Sequence, residues 1–125
     1  MNTIRIFRLH GPRSFAQAVD EIDQCLREAV EEGARRVLVD IRGLTGFPKP
    51  DVLSRIGMVR RWAATSQGQL RVAMISPAEL NDGERFDVVL AKGLGFDGNV
   101  FETEEGALHW LDLEQGLWIS PPPAF

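Results

Sequence analysis

An α/β fold is what this sequence predicts, and three observations predict it. Short apolar runs alternate with amphipathic helical stretches, turn residues punctuate the boundaries, and no internal repeat or linker marks a second domain. At 125 residues the chain fits one domain with one continuous core. The expected architecture is about four β-α units around a mainly parallel sheet, with the N-terminal strand at an edge. Residues 1–115 would form the domain and residues 116–125 an apolar, proline-rich tail.

The elements follow in order. Thr3 to Leu9 reads as a first strand through Ile4, Ile6, Phe7 and Leu9, stopped by His10-Gly11-Pro12-Arg13. Ser14 and Gln17 have capping-box spacing at the start of a helix. Phe15, Ala18, Val19, Ile22, Leu26 and Ala29 give that helix one apolar stripe, with Asp20, Glu21, Asp23 and Arg27 placed away from it. Gly33 suits its end, because glycine takes φ > 0 without a Cβ clash. Val37 to Ile41 and Leu70 to Ile75 are apolar runs of the kind covered on both faces in a parallel sheet. Between them lie a loop from Arg42 to Pro50 and a helix from about Asp51 to Ser66. The inner line of that helix is expected at Val52, Ile56, Val59 and Ala63, flanked by Leu53 and Trp62. Ser76-Pro77-Ala78-Glu79 opens a short capped turn. Asp82 caps a helix through Phe86, Val89 and Leu90 to Gly93. Asn99 to Glu102 forms a last strand, and Thr103 caps a last helix through Leu111.

Composition narrows function. The chain is 44% hydrophobic and 26% charged, as globular domains are, and carries 18 acidic against 14 basic residues for a net charge of −4. A nucleic-acid binder needs a basic surface to displace counterions, so nucleic acid is not the expected partner. Cys25 stands alone, with no Cys or Cys/His spacing of a zinc site. No run approaches the roughly 20 apolar residues of a membrane span, and the first residues lack a signal peptide's apolar stretch. The expectation is a cytoplasmic protein without metal or cofactor.

Three stretches now carry a resemblance. They are Val37-Leu38-Val39-Asp40-Ile41-Arg42-Gly43-Leu44-Thr45-Gly46-Phe47, then Arg71-Val72-Ala73-Met74-Ile75-Ser76-Pro77-Ala78-Glu79-Leu80, then Val100-Phe101-Glu102-Thr103-Glu104-Glu105-Gly106-Ala107-Leu108-His109-Trp110-Leu111. In this order they resemble the SpoIIAA-like STAS domains of anti-sigma-factor antagonists, in particular a bacterial branch of that superfamily. The resemblance implies a non-catalytic regulatory or protein-interaction module. It does not carry over the phosphoserine switch. The family's Asp-Ser-Ser-Gly stretch falls on Pro48-Lys49-Pro50-Asp51, so Lys49 stands where the phosphorylated serine would be. The family often begins with a strand hairpin, whereas one strand precedes the first helix here. Leu117-Trp118-Ile119 is therefore expected to cover the surface left by the missing strand, or to pair with another chain in a homodimer.

The loop from Asp40 to Lys49 is the leading site candidate, because ligands in α/β sheets collect beyond the carboxyl ends of strands. It offers Asp40, Arg42, Thr45 and Lys49 as polar groups and Phe47 as an apolar anchor, with Gly43 and Gly46 free to allow close approach. Met58 and Trp62 on the following helix could line an apolar pocket, and Ser76 leaves the neighbouring strand toward the same region. Each also has a plain structural role: solvation for the charges, core packing for Met58, Phe47 and Trp62, helix capping for Ser76. Arg55, Arg60 and Arg61 make that helix the most basic part of the chain, and they could meet an acidic partner. Gly93-Leu94-Gly95-Phe96-Asp97-Gly98 matches a dinucleotide pattern, but it follows a helix and precedes a strand, the reverse of what phosphate binding needs.

Two function classes remain beside a poorly supported enzyme, which lacks any acid-base pair or activated nucleophile. One is a docking module that uses the glycine loop and its helix. The other is a small carrier of an apolar or lipid-like ligand; the branch shares a name with lipid carriers, which implies such a ligand by analogy alone. An enclosed apolar cavity near Phe47, Met58 and Trp62 would favour the carrier. A packed core with an exposed apolar patch would favour docking.

Overall fold

The computed structural model describes residues 4–77, 80 and 86–113. Four strands, β1 (Ile4–Pro12), β2 (Arg36–Thr45), β3 (Arg71–Ile75) and β4 (Asp97–Phe101), alternate with four helices, α1 (Phe15–Glu32), α2 (Val52–Ser66), α3 (Phe86–Gly93) and α4 (Glu104–Asp112). The strands form one parallel sheet in the order β1-β2-β3-β4, so the N-terminal strand is an edge as its sequence predicts. The chain never reverses its direction of travel across the sheet. Crossovers of one hand then bring successive helices to one face, and α1, α2 and α3 pack side by side there. The last helix, α4, folds back over β2, β3 and β4 on the other face.

Local chemistry explains the boundaries. Ser14 and Gln17 close a reciprocal capping box (Gln17 N to Ser14 Oγ 3.1 Å, Ser14 N to Gln17 Oε1 2.9 Å), and Gly33 ends α1 at φ 78°. Asp51 caps α2 by accepting from Ser54 N at 2.8 Å, and Thr103 caps α4 by accepting from Gly106 N at 3.1 Å. The expected caps at Ser76-Pro77-Ala78-Glu79 and Asp82, and the tail with Leu117-Trp118-Ile119, fall partly or wholly outside the described residues.

Two strands run further than their patterns suggest. β1 continues through His10, Gly11 and Pro12, and β2 continues through Thr45, absorbing half of the expected loop. As the edge strand, β1 has a partner on one side only, where a proline does least harm. The pairing between them shifts: Arg8 lies opposite Asp40 but His10 opposite Gly43, so β2 takes one residue more than β1. This bulge turns both Ile41 and Leu44 to the three-helix face. It also brings the strands so close that a Cβ on Gly43 would stand 2.6 Å from the His10 Cβ.

Side chains alternate across the sheet. Val37, Val39, Ile41 and Val72 join the core beneath the three helices, while Leu38, Ala73 and Ile75 join a second core with Ala107 and Leu111 of α4. On α2 the inner line is Arg55, Val59, Trp62 and Ser66; of the expected Val52, Ile56, Val59 and Ala63, Val59 is buried, Ile56 and Ala63 are half-buried and Val52 is exposed. Val52 and Leu53 are 50% and 80% exposed. Asp23 also departs from expectation. It is fully buried between α1 and α2, where Arg27 (2.7 Å) and Thr65 Oγ1 (2.5 Å) donate to it and Arg61 lies 3.4 Å away. Buried charge of this kind persists only when paired and hydrogen-bonded.

Candidate functional site: an apolar pocket beneath three helices

A pocket of about 500 Å³, partly open to solvent, lies between the three-helix layer and the sheet. Helices α1, α2 and α3 line it on one side and β2, β3 and β4 on the other. On the sheet side Val72, Met74, Gly98, Asn99 and Val100 line it, and α3 contributes Val88 and Ala91. Trp62, Met58 and Val59 form the α2 wall, and Phe15, Ala18 and Ile22 form the α1 wall. The Trp62 indole N–H donates to Val19 O at 3.3 Å, which fixes the ring between α1 and α2. Phe47 meets Phe15 edge-on, with ring centroids 5.9 Å apart.

The pocket runs along the strands. Val72, Met74 and Ser76 line it at every second position, a span of roughly 13 Å. Its polar groups gather at the carboxyl end of the sheet. Ser76 is 5% exposed, and its hydroxyl reaches Pro77 O at 3.5 Å, the outer limit of a hydrogen bond. Arg55, buried in the first turns of α2, lies 3.6 Å from Asp87 of α3, and Glu102 follows β4.

The expected site residues therefore divide. Phe47, Met58, Trp62 and Ser76 all line the pocket. Asp40 and Arg42 do not. They belong to the α4 face, where Arg42 forks onto Asp40 (Nε 3.0 Å, Nη2 2.8 Å) and its backbone N–H adds a third bond at 3.1 Å. Arg8 joins Asp40 at 3.1 Å and forks onto Glu104 of α4 at 2.9 and 3.1 Å. The Arg42 guanidinium, with Arg8 adding to it, holds the Asp40 carboxyl below its ordinary range. Arg8 does the same for Glu104. These four charges satisfy one another and clamp α4 to β1 and β2.

Thr45 is exposed and its carbonyl accepts from Arg13 N at 2.8 Å, while Lys49 is exposed beyond it. Neither lines the pocket. Gly43 and Gly46 are explained by the chain's own close approaches rather than a ligand's, since a Cβ on Gly46 would stand 2.6 Å from Arg13 O. Of the basic residues on α2, Arg55 is buried and Arg61 pairs with Asp20 and Asp23, which takes both from an acidic partner. Burial and the nearby Glu28 and Glu21 carboxylates push the Cys25 thiol up to about 11, leaving it neutral and unreactive. The glycines from Gly93 to Gly98 join the end of α3 to β4, so helix carbonyls, not N–H groups, face that loop.

Arg55 and Asp87 were missed by reading the sequence. The available signal was an arginine at the position where the line through Val59 and Trp62 continues toward the start of α2. No protein-family model matches the chain, no curated protein matches it, and no solved structure matches it. What fold and pocket define is a single α/β domain with a ligand-sized apolar cavity; no helix among the described residues is long and apolar enough to cross a membrane.

Proposed function

We propose that this chain is a non-catalytic binding module that holds a small apolar molecule beneath its three helices. One observation carries the reading: the apolar cavity of about 500 Å³ lined by Phe47, Met58 and Trp62. Its volume lies within the range of roughly 300–1,000 Å³ used for small ligands, and its walls are mostly carbon with a few convergent polar groups. Trp62 is held rigid on one wall, while Met58 and Met74 offer adaptable surface. Native mass spectrometry of protein purified from its own host tests the reading. An adduct that organic extraction removes is expected, and Ala91→Trp, which fills the cavity, abolishes it. A bare chain mass in wild type, with no uptake of an apolar probe such as 1-anilinonaphthalene-8-sulfonate, would overturn it.

A second reading rests on a different observation. Val52 and Leu53 present apolar side chains to solvent at the start of α2, beside the expected docking loop. A STAS-like regulatory module without the phosphorylated serine would use that surface for a protein partner. Leu53→Glu separates the two readings: it would abolish docking and leave ligand uptake unchanged.

A further inference from the structure

The course of the chain over the sheet bears on where it heads after α4. β1, β2, β3 and β4 step across the sheet in one direction, with α1, α2 and α3 on one face and α4 on the other. α4 carries the chain back to the amino end of the sheet, where Arg71 at the start of β3 donates to Trp110 O at 3.0 Å. A strand that begins there runs parallel to the other four. A crossover on the opposite face keeps the same hand only when it travels back across the sheet. The place for such a strand is therefore beside β1, not beyond β4. Among the described residues nothing pairs with the outer side of β1, which runs for nine residues. A strand edge of that length invites pairing.

The chain beyond Leu113 has the composition and the reach for this place. Trp118 and Ile119 are residue types that strands favour, with Leu117 apolar beside them. Pro121, Pro122 and Pro123 then have no N–H with which to continue a ladder. α4 packs over β2, which lies two strand spacings, about 10 Å, from the position outside β1. The four residues from Leu113 to Leu117 extend to about 14 Å. Both faces of β1 offer apolar neighbours: Ile6, 38% exposed, on the α4 side and Phe7, half-buried, on the α1 side. We infer that residues 117–120 add to the outer edge of β1 as a fifth parallel strand of the same chain. Attachment through α4 holds that segment at an effective concentration on the order of millimolar, which favours it over the edge of a second copy.

Hydrogen exchange of the full chain, read by NMR, tests this through the alternate β1 amides that point away from β2. They are expected to exchange at least about tenfold more slowly in the wild-type chain than in the double variant Trp118→Pro with Ile119→Pro. Adjacent N–H groups of a strand point to opposite sides, so one of the two donors removed must face β1. Amides of β2 should keep their protection in the variant. Nuclear Overhauser contacts from Trp118 or Ile119 to β1 are expected in the labelled wild-type chain, a readout that does not depend on the variant folding. An isotope-filtered spectrum of labelled and unlabelled chains refolded together, which reports only contacts between copies, should lack them. Outward β1 amides that exchange freely in wild type, or stay equally protected in the variant, overturn the inference. Contacts in the filtered spectrum also overturn it, by assigning the edge to a second copy.

Discussion

The two faces of the sheet share the same four strands, yet they close in different ways. On the α4 face one helix is pinned at both ends. Arg8 forks onto Glu104 at its start, and Arg71 lies 3.7 Å over the Trp110 ring near its end while donating to Asp97 and to Trp110 O. Leu38, Ala73, Ile75, Ala107 and Leu111 fill the space between those clamps and are fully buried. On the other face three helices pack side by side, yet a cavity of about 500 Å³ lies between them and the sheet. More cover therefore does not mean tighter closure. Filling depends on whether the side chains that meet between helix and sheet occupy the space, as Leu38, Ala73, Ile75, Ala107 and Leu111 do on the α4 face.

The comparison can be broken most directly by truncating its packed side. Leu38→Ala is expected to lower unfolding free energy by about 2–5 kcal/mol in urea denaturation, because neighbours at a packed site relax only partly into the space. Met74→Ala, on the pocket side and half-buried, should lose clearly less. Equal losses would mean that the pocket wall is as tightly packed as the α4 core.

Enlargement gives a smaller, reciprocal effect. Ala73→Leu overpacks the α4 core and should cost about 1–3 kcal/mol. Ala91→Leu points added methyls into the cavity and should cost less than about 1 kcal/mol by the same measurement. A reversed order would locate the unfilled volume on the wrong face.

Gly57 offers a control outside both cores. It sits inside α2, and a Cβ there would meet nothing within 4 Å. Gly57→Ala should raise stability by about 0.5–1 kcal/mol, read as a higher thermal midpoint, without changing either face.

The smallest effect is electrostatic and belongs to the α4 side. Asp40 and Glu104 have folded pKa values below their ordinary ones, owing first to Arg42 and Arg8 respectively. A depressed carboxylate contributes stability that is present above its unfolded value of about 4 and is lost as pH falls through the folded value. Arg8→Gln should therefore flatten the fall in urea midpoint between about pH 5 and about pH 3, leaving pocket binding at neutral pH unaltered. An unchanged acid limb would show that the clamp contributes nothing measurable, as exposed pairs often do.

How far the sequence could be read follows from the range of the forces involved. The capping box at Ser14 and Gln17, the glycine stop at Gly33 and the cap at Thr103 act within a few residues, so those helix ends were legible. The candidate site was legible only in part. Phe47, Met58, Trp62 and Ser76 do meet around one cavity, but Asp40 and Arg42, drawn into the same loop by sequence proximity, work on the opposite face. Every residue from Arg36 to Ile41 is buried, so β2 shows no alternation from which its two faces could be told apart. The bulge after Asp40 then shifts the pattern again. Asp23 and Arg55 were misplaced for a related reason: polar residues read as solvent-facing until a partner on another helix is known.

By itself, then, the sequence determined the order and kind of the elements, the parallel sheet with its N-terminal edge strand, and most helix ends, because these arise from local hydrogen bonding and apolar periodicity. Only the tertiary structure decided which face each β2 side chain serves, that Arg55 pairs with Asp87, and that a cavity exists at all. A cavity is left where side chains of α1, α2, α3 and the sheet do not meet, and that has no counterpart in any single stretch of chain.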